Sequence, residues 1–271
     1  MTDDDAAVEG QRRLWSSGNY PAVAERLEVA SPALLDAVGV DPGDKVLDVG
    51  VGSGNTALEA ARRGATVTGV DLTPRQLELA RARAGAAGIP LDLHEGNAED
   101  LPFPDGGFDA VVSVFGVIFA SDHVRTAAEM ARVCAPGGTV GLTAWTAADG
   151  WYRNWRTRAA ALVPPPPPGT GQPDDWGDVD VATRRLTAAG LADVAAEPRE
   201  LQWTFADADE AVAFFLTNAA PFILFRQAAT AAGHGDEVVP AVHAAVVESN
   251  VATDGVRLPA PYLVLTAHRP R

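Results

Sequence analysis

Between residues 45 and 145 short apolar strands alternate with amphipathic stretches, and no other feature of the chain constrains its fold as strongly. Residues 45–49 are a short apolar strand, followed by glycines and a helix over 55–63 that Gly64 closes. A second strand spans 66–70. Thr73-Pro74 then opens a helix that runs to Gly88, with Thr73 as its cap and Pro74 at the first helical position. Strands at 91–94 and 108–114, a helix from Asp122 to Cys134, the turn Ala135-Pro136-Gly137-Gly138 and a strand over 140–145 complete the series. Such an alternation predicts a parallel sheet with helices on both faces. Sheets of this kind bind ligands beyond the carboxyl ends of their strands, where strand order reverses.

Outside this segment the rhythm breaks. The first forty residues read as two helices. After Trp145 the pattern predicts helices at 151–162, 179–189, 207–217 and 237–249, strands at 194–205 and 260–268, and a stiff polyproline spacer at 164–168. The expectation is α/β: a Rossmann-like, mostly parallel sheet of seven strands with helices on both faces, plus N-terminal helices and a helical insert forming a cap. With no internal repeat, the chain reads as one domain over 1–271. Residues 1–40 are its helical cap, 41–145 its ligand-binding core, and 146–271 the insert with the last strands.

Composition narrows the function. Hydrophobic residues make up 47% of the 271, enough to bury a core without staples, and the formal net charge of −15 opposes nucleic-acid binding. Cys134 is the only cysteine, so no internal disulfide or cysteine zinc site can form, and His94, His234, His243 and His268 show no metal-like spacing. The start, Met1-Thr2-Asp3-Asp4-Asp5, is acidic, unlike a signal peptide, and no apolar run reaches the roughly 18–20 residues that cross a bilayer. A cytoplasmic protein with no metal, no nucleic-acid partner and no membrane partner is expected.

The most informative residues are Val46-Leu47-Asp48-Val49-Gly50-Val51-Gly52-Ser53-Gly54. A strand enters a glycine turn from which a helix starts at once, and glycines there let backbone approach a ligand closely. The spacing Gly50, Gly52, Gly54 departs from the dinucleotide fingerprint, whose third glycine would fall at Asn55. Asp71 ends the next strand, where an acid accepts hydrogen bonds from both hydroxyls of a ribose. Its alternative role is to cap the following helix, which Thr73 already does.

These residues resemble the class I S-adenosylmethionine (SAM)-dependent methyltransferases, within them the group similar to the quinone-biosynthesis C-methyltransferases and small-molecule methyltransferases. The matching segments are 46–54, Val70-Asp71-Leu72-Thr73, Gly96-Asn97-Ala98-Glu99-Asp100-Leu101-Pro102-Phe103, Phe108-Asp109 and 132–138. The flanks at 15–20 and 250–263 resemble a bacterial subgroup more loosely. The resemblance implies SAM as cofactor, S-adenosylhomocysteine (SAH) as product, and a small-molecule acceptor methylated on oxygen, nitrogen or carbon. Asp48 and the Gly50, Gly52 and Gly54 backbone would hold the methionine end and Asp71 the ribose. Leu72 would lie against the adenine. Asn97, where many relatives carry Asp, would accept from its amino group, and Ala98 would offer its amide. Gln76 stands where relatives place an apolar residue over that ring, and Glu99 flanks the loop. Val114 and Phe115 would face the methionine moiety and the acceptor.

Methyl transfer needs placement above all, because the sulfonium carbon is already activated. His123 is the candidate general base; its alternative is a surface histidine at a helix start. Trp15, Tyr20, Phe119 and Trp151 are candidates for the substrate pocket, whereas Phe214, Phe215, Phe222 and Phe225 read as a core face. A homodimer through the cap would be reasonable. Other readings are a SAM-binding protein of this fold that does not methylate and an NAD-dependent oxidoreductase; the glycine spacing and the Asn97-Ala98 loop oppose the latter.

Overall fold

The computed structural model describes residues 3–146, 150–165 and 171–271, so residues 166–168 of the expected polyproline run lie outside the described residues. Three helices come first, α1 (Asp3–Trp15), α2 (Tyr20–Leu27) and α3 (Ala30–Val38), where the sequence pattern predicts two. The alternating core follows as β1 (Lys45–Val49), α4 (Asn55–Arg62), β2 (Thr66–Asp71), α5 (Pro74–Ala87), β3 (Asp92–Glu95), β4 (Phe108–Val114), α6 (His123–Val133) and β5 (Cys134–Trp145). The remainder is α7 (Trp151–Ala159), a 3₁₀ turn at Pro173–Gly177, α8 (Val179–Ala188), β6 (Ala192–Phe205), α9 (Ala208–Asn218), α10 (Ala220–Ala231), α11 (Val238–Ser249) and β7 (Val256–His268).

The seven strands lie in the order β3-β2-β1-β4-β5-β7-β6. Neighbours from β3 to β5 pair parallel, and β7 runs antiparallel to β5 with Trp145 opposite Tyr262. This is the Rossmann-like sheet expected from the strand-helix rhythm. Three details differ from that expectation. Residues 135–138 are not a separate turn but the start of β5, where the register against β4 shifts between Phe108 and Ala110. α10 went unforeseen because its Pro221 falls between two apolar stretches; the proline occupies the first turn of a helix bent 87° from α9. The Thr73 hydroxyl makes no capping bond to α5.

Contacts divide the chain into two compact units, one of 1–26, 147–170 and 200–261, the other of 27–146, 171–199 and 262–271. The first has an aromatic core in which Trp155 stacks on Phe222 at 4.0 Å and Phe215 on Phe222 at 4.9 Å, with Trp151 stacked on both phenylalanines. The Arg26 guanidinium lies over Phe205 and Phe214. Among the described residues no single helix is long and apolar enough to cross a membrane; α9 and α10 pass only as a bent pair, and bury Phe215, Leu216, Phe222 and Ile223.

The second unit holds the strands from β1 to β5. α3 belongs to it, not with α1 and α2, because its buried Leu34, Leu35 and Val38 cover β5 at Gly141, where a side chain would press on Val38 and Leu34. A segment re-enters this unit at Gly171, and its 3₁₀ turn lies across the end of β5. A Cβ on Gly177 would overlap the carbonyl oxygen of Trp145 and come 2.7 Å from Thr146 Cα. Both obstacles are backbone. Gly177→Ala is therefore expected to lower the unfolding free energy by about 1–3 kcal/mol, measured by urea denaturation; an unchanged midpoint would contradict this packing.

Candidate functional site

Strand order reverses between β1 and β4, so the chain leaving each strand turns to a different side of the sheet. The two exits touch. Gly50, after β1, has φ +72°, and a Cβ there would stand 3.1 Å from Gly116 Cα, just after β4. Gly52 and Gly54 are also left-handed, at +53° and +90°, so the loop turns in a conformation that other residues adopt only at a cost. Its amides are held: Gly50 and Val51 donate to Val70 O, and Gly52 donates to Asp71 Oδ2 at 2.9 Å.

Two carboxyls face this loop. Asp48 is 2% exposed, and its Oδ2 has no hydrogen-bond partner among the described residues. Burial, opposed by a backbone hydrogen bond from Ala57 and helped by the nearby Asp71 charge, pushes its pKa up to about 7. Burial also raises Asp71, against the stabilising amides of Thr73 and Gly52. Asp71 Oδ1 accepts from Thr73 N at 2.8 Å. The cap expected at this corner differs: the Thr73 hydroxyl does not cap α5, and Asp71 bonds the amide of Thr73 itself.

The next loop docks on Asp71 through Gly96 N–H donating to Asp71 O. Asn97 Oδ1 accepts from Glu99 N at 3.0 Å, which turns the chain so that Asn97 bridges to Asp100; Ala98 between them is half-buried. Glu99 points away, its Oε1 accepting from Ser121 N and Asp122 N ahead of α6. From α6, Glu129 accepts from Leu101 N, and Arg132 donates to the carbonyls of Leu101 and Phe103 and to Asp105. The loop is thus clamped from both ends of α6. Leu72 is half-buried beside Asp71, and Gln76 is buried in the first turn of α5.

Residues 46–138, which contain this arrangement, match the family described as methyltransferase domain. This part of the chain is similar to a methyltransferase domain. An uncharacterized protein of Mycobacterium tuberculosis is 44% identical over 179 residues, 61% of this chain, which spans 65% of that relative's length. A demethylmenaquinone methyltransferase of Deinococcus radiodurans is 43% identical over 100 residues, 36% of this chain and 42% of the relative. The solved structure of the YcgJ protein from Bacillus subtilis has the same fold, with a TM-score of 0.63 at 17% identity over 89% of this chain and 98% of that one.

In this second unit the end of β4 is strained. Phe115 has φ +53°; its N–H donates to Thr143 Oγ1, and its ring stacks on Trp145 at 4.0 Å, with Tyr262 edge-on at 5.5 Å. Val114 before it is half-buried, as is Phe119. Gly116, Ser113, Thr143 and Trp145 were not singled out by sequence reasoning; a glycine directly after β4 was the one signal available. Trp15, Tyr20 and Trp151 lie in the other unit. Trp15 and Tyr20 are half-buried and meet edge to face, and Trp151 is buried in the aromatic core.

His123 is corrected on one of its alternatives: it is not a surface residue. It is 3% exposed, bonds Ile118 O through Nε2 at 3.0 Å, and lies beneath Gly171 and Trp176. Nδ1 is 3.8 Å from Asp175, which Arg185 also pairs. Burial first, then the Arg185 charge, lowers its pKa below 6.5, against Ile118, Asp175 and Asp122. The folded state therefore favours neutral His123. That contribution is full above the unfolded pKa and is lost as pH falls through 6.5 toward the folded value. Urea unfolding of wild type and His123→Gln at pH 7.5 and 5.5 should show the wild type losing more stability on acidification; equal losses would refute the assignment.

Proposed function

We propose that this chain is a SAM-dependent methyltransferase that transfers a methyl group to a small-molecule acceptor. The observation that carries the reading is the buried Asp48 carboxyl, which keeps an unpartnered oxygen near the end of β1, directly ahead of a loop of left-handed glycines. A buried carboxyl with a pKa near 7 is costly to ionise alone and favours a cation beside it. The α-ammonium of SAM is such a group, and the sulfonium supplies the methyl when the cofactor is bound.

The residues divide the work along the loop. Asp48 and the Gly50, Gly52 and Gly54 backbone would hold the methionine end. Asp71 would bind the ribose with the lone pairs its two amide donors leave over, since a carboxylate has about four. Leu72 and Gln76 would flank the adenine, and Asn97 and Ala98 would read its edge. Glu99 would act on the cofactor only by holding the loop. Val114 and Phe115 border the transfer position, with Phe119 nearby in the chain, while Trp15, Tyr20 and Trp151 remain pocket candidates of the helical unit. Holding acceptor and methyl group in line supplies roughly 7–11 kcal/mol of the barrier. The acidic charge and the quinone-methyltransferase likeness favour a small acceptor in a cytoplasmic, bacterial setting.

Calorimetry with SAM and SAH tests the reading. Wild type should bind both in the micromolar range, and Asp71→Ala should bind about tenfold or more weakly; no binding by the wild type would remove it. Affinity should also rise with pH between 6 and 8, because only ionised Asp48 attracts a cation, and this dependence should be reduced in Asp48→Asn. Binding without methyl transfer to any acceptor would leave a SAM-binding protein of this fold that does not methylate.

A further inference from the structure

We propose that Arg83 is a positioning residue that holds the cofactor loop in its binding conformation. The inference rests on the SAM-binding reading above. Arg83 lies on the face of α5 turned to the loop. Its Nη1 is 2.9 Å from Ser53 O, 3.2 Å from Ser53 Oγ and 2.6 Å from Asn55 Oδ1. One guanidinium nitrogen thus gathers three oxygens from residues on either side of Gly54.

Stability of α4 does not account for this arrangement. A cation beside a helix N-terminus opposes the helix dipole. Gly54 supplies no side-chain cap, and the Asn55 amide oxygen faces Arg83. The loop's geometry does account for it. Three left-handed glycines lose more freedom on ordering than any other residues would. Asp71 fixes the loop at Gly52; Arg83 fixes the half that Asp71 does not reach. Ala80, one turn earlier on α5, packs 3.4 Å from where a Gly54 Cβ would be, so α5 and the loop are already in register.

The same network reaches the 28–31 turn. Arg83 Nη2 lies 4.0 Å from Glu28, and Ser31 Oγ bonds Thr56 Oγ1 at 2.9 Å with both hydroxyls buried.

SAH binding and hydrogen exchange of the ligand-free protein test the proposal on the full chain. Arg83→Ala should bind SAH about tenfold more weakly and exchange the amides of 52–56 about tenfold faster, with an unchanged unfolding midpoint. Arg83→Lys should recover most of the affinity, and Glu28→Gln, which leaves the three loop bonds intact, should bind within about twofold of wild type. Arg83→Ala binding as tightly as wild type, or unaltered exchange at 52–56, overturns the proposal. A loss of affinity that follows a fall in the unfolding midpoint and is not rescued by lysine also overturns it, in favour of a structural role. If the wild type binds no SAH, the SAM reading itself falls, and the exchange data still report separately whether Arg83 orders the loop.

Discussion

The contact between Gly50 and Gly116 is the constraint on which the second unit's sheet depends. Two chain segments leave β1 and β4 at the point of strand reversal and meet backbone against backbone, with no room for a Cβ on Gly116, which would stand 3.0 Å from Val49 O. The Ser113 hydroxyl locks the junction by donating to Val49 O and accepting from Val117 N. Because the chain must turn so sharply, Phe115 takes a left-handed conformation that costs roughly 1–2 kcal/mol for a residue with a Cβ. The Thr143 hydroxyl and the stack on Trp145 offset that strain. Backbone strain at this position coincides with the end of the strand from which an acceptor would be met.

Electrostatics sharpen the site. Asp48 and Asp71 lie close enough for one charge to hinder the other, and burial disfavours both. Asp71 recovers part of that cost from two backbone amides. Asp48 keeps an oxygen without a partner, which makes it the group with most to gain from a bound cation. A loop whose glycine amides are already bonded within the protein thus lies next to negative charge from two neighbouring strands.

The rest of the second unit buttresses these loops. α6 grips the loop at 96–103 through Glu129 and Arg132, while Glu99 returns the bond to the amides before α6. Beyond it the re-entering segment closes over His123, with Gly171 N donating to Ser121 O and Trp176 fully buried. His123 is therefore part of how the 3₁₀ turn is seated against α6, and its burial and Arg185 explain why it stays neutral there.

The strand-helix rhythm, the glycine loop and the acid ending β2 were legible in the sequence because each depends on neighbours within a few residues. Periodicity, turn chemistry and strand ends are local, and they place the Rossmann-like sheet, the glycine turn after β1 and Asp71 at the end of β2. The continuation of β5 through Pro136, the start of α10 at Pro221 and the membership of α3 in the core depended on packing partners far along the chain, as with Gly141 beneath Leu34. The burial of His123 required a segment about fifty residues later to fold over it. Arg83 could not be singled out, since nothing local says that a helix arginine meets a loop thirty residues before it. Sequence alone determined which ends of which strands would carry the site; tertiary structure decided which side chains reach it, because burial and hydrogen bonding are properties of neighbours in space.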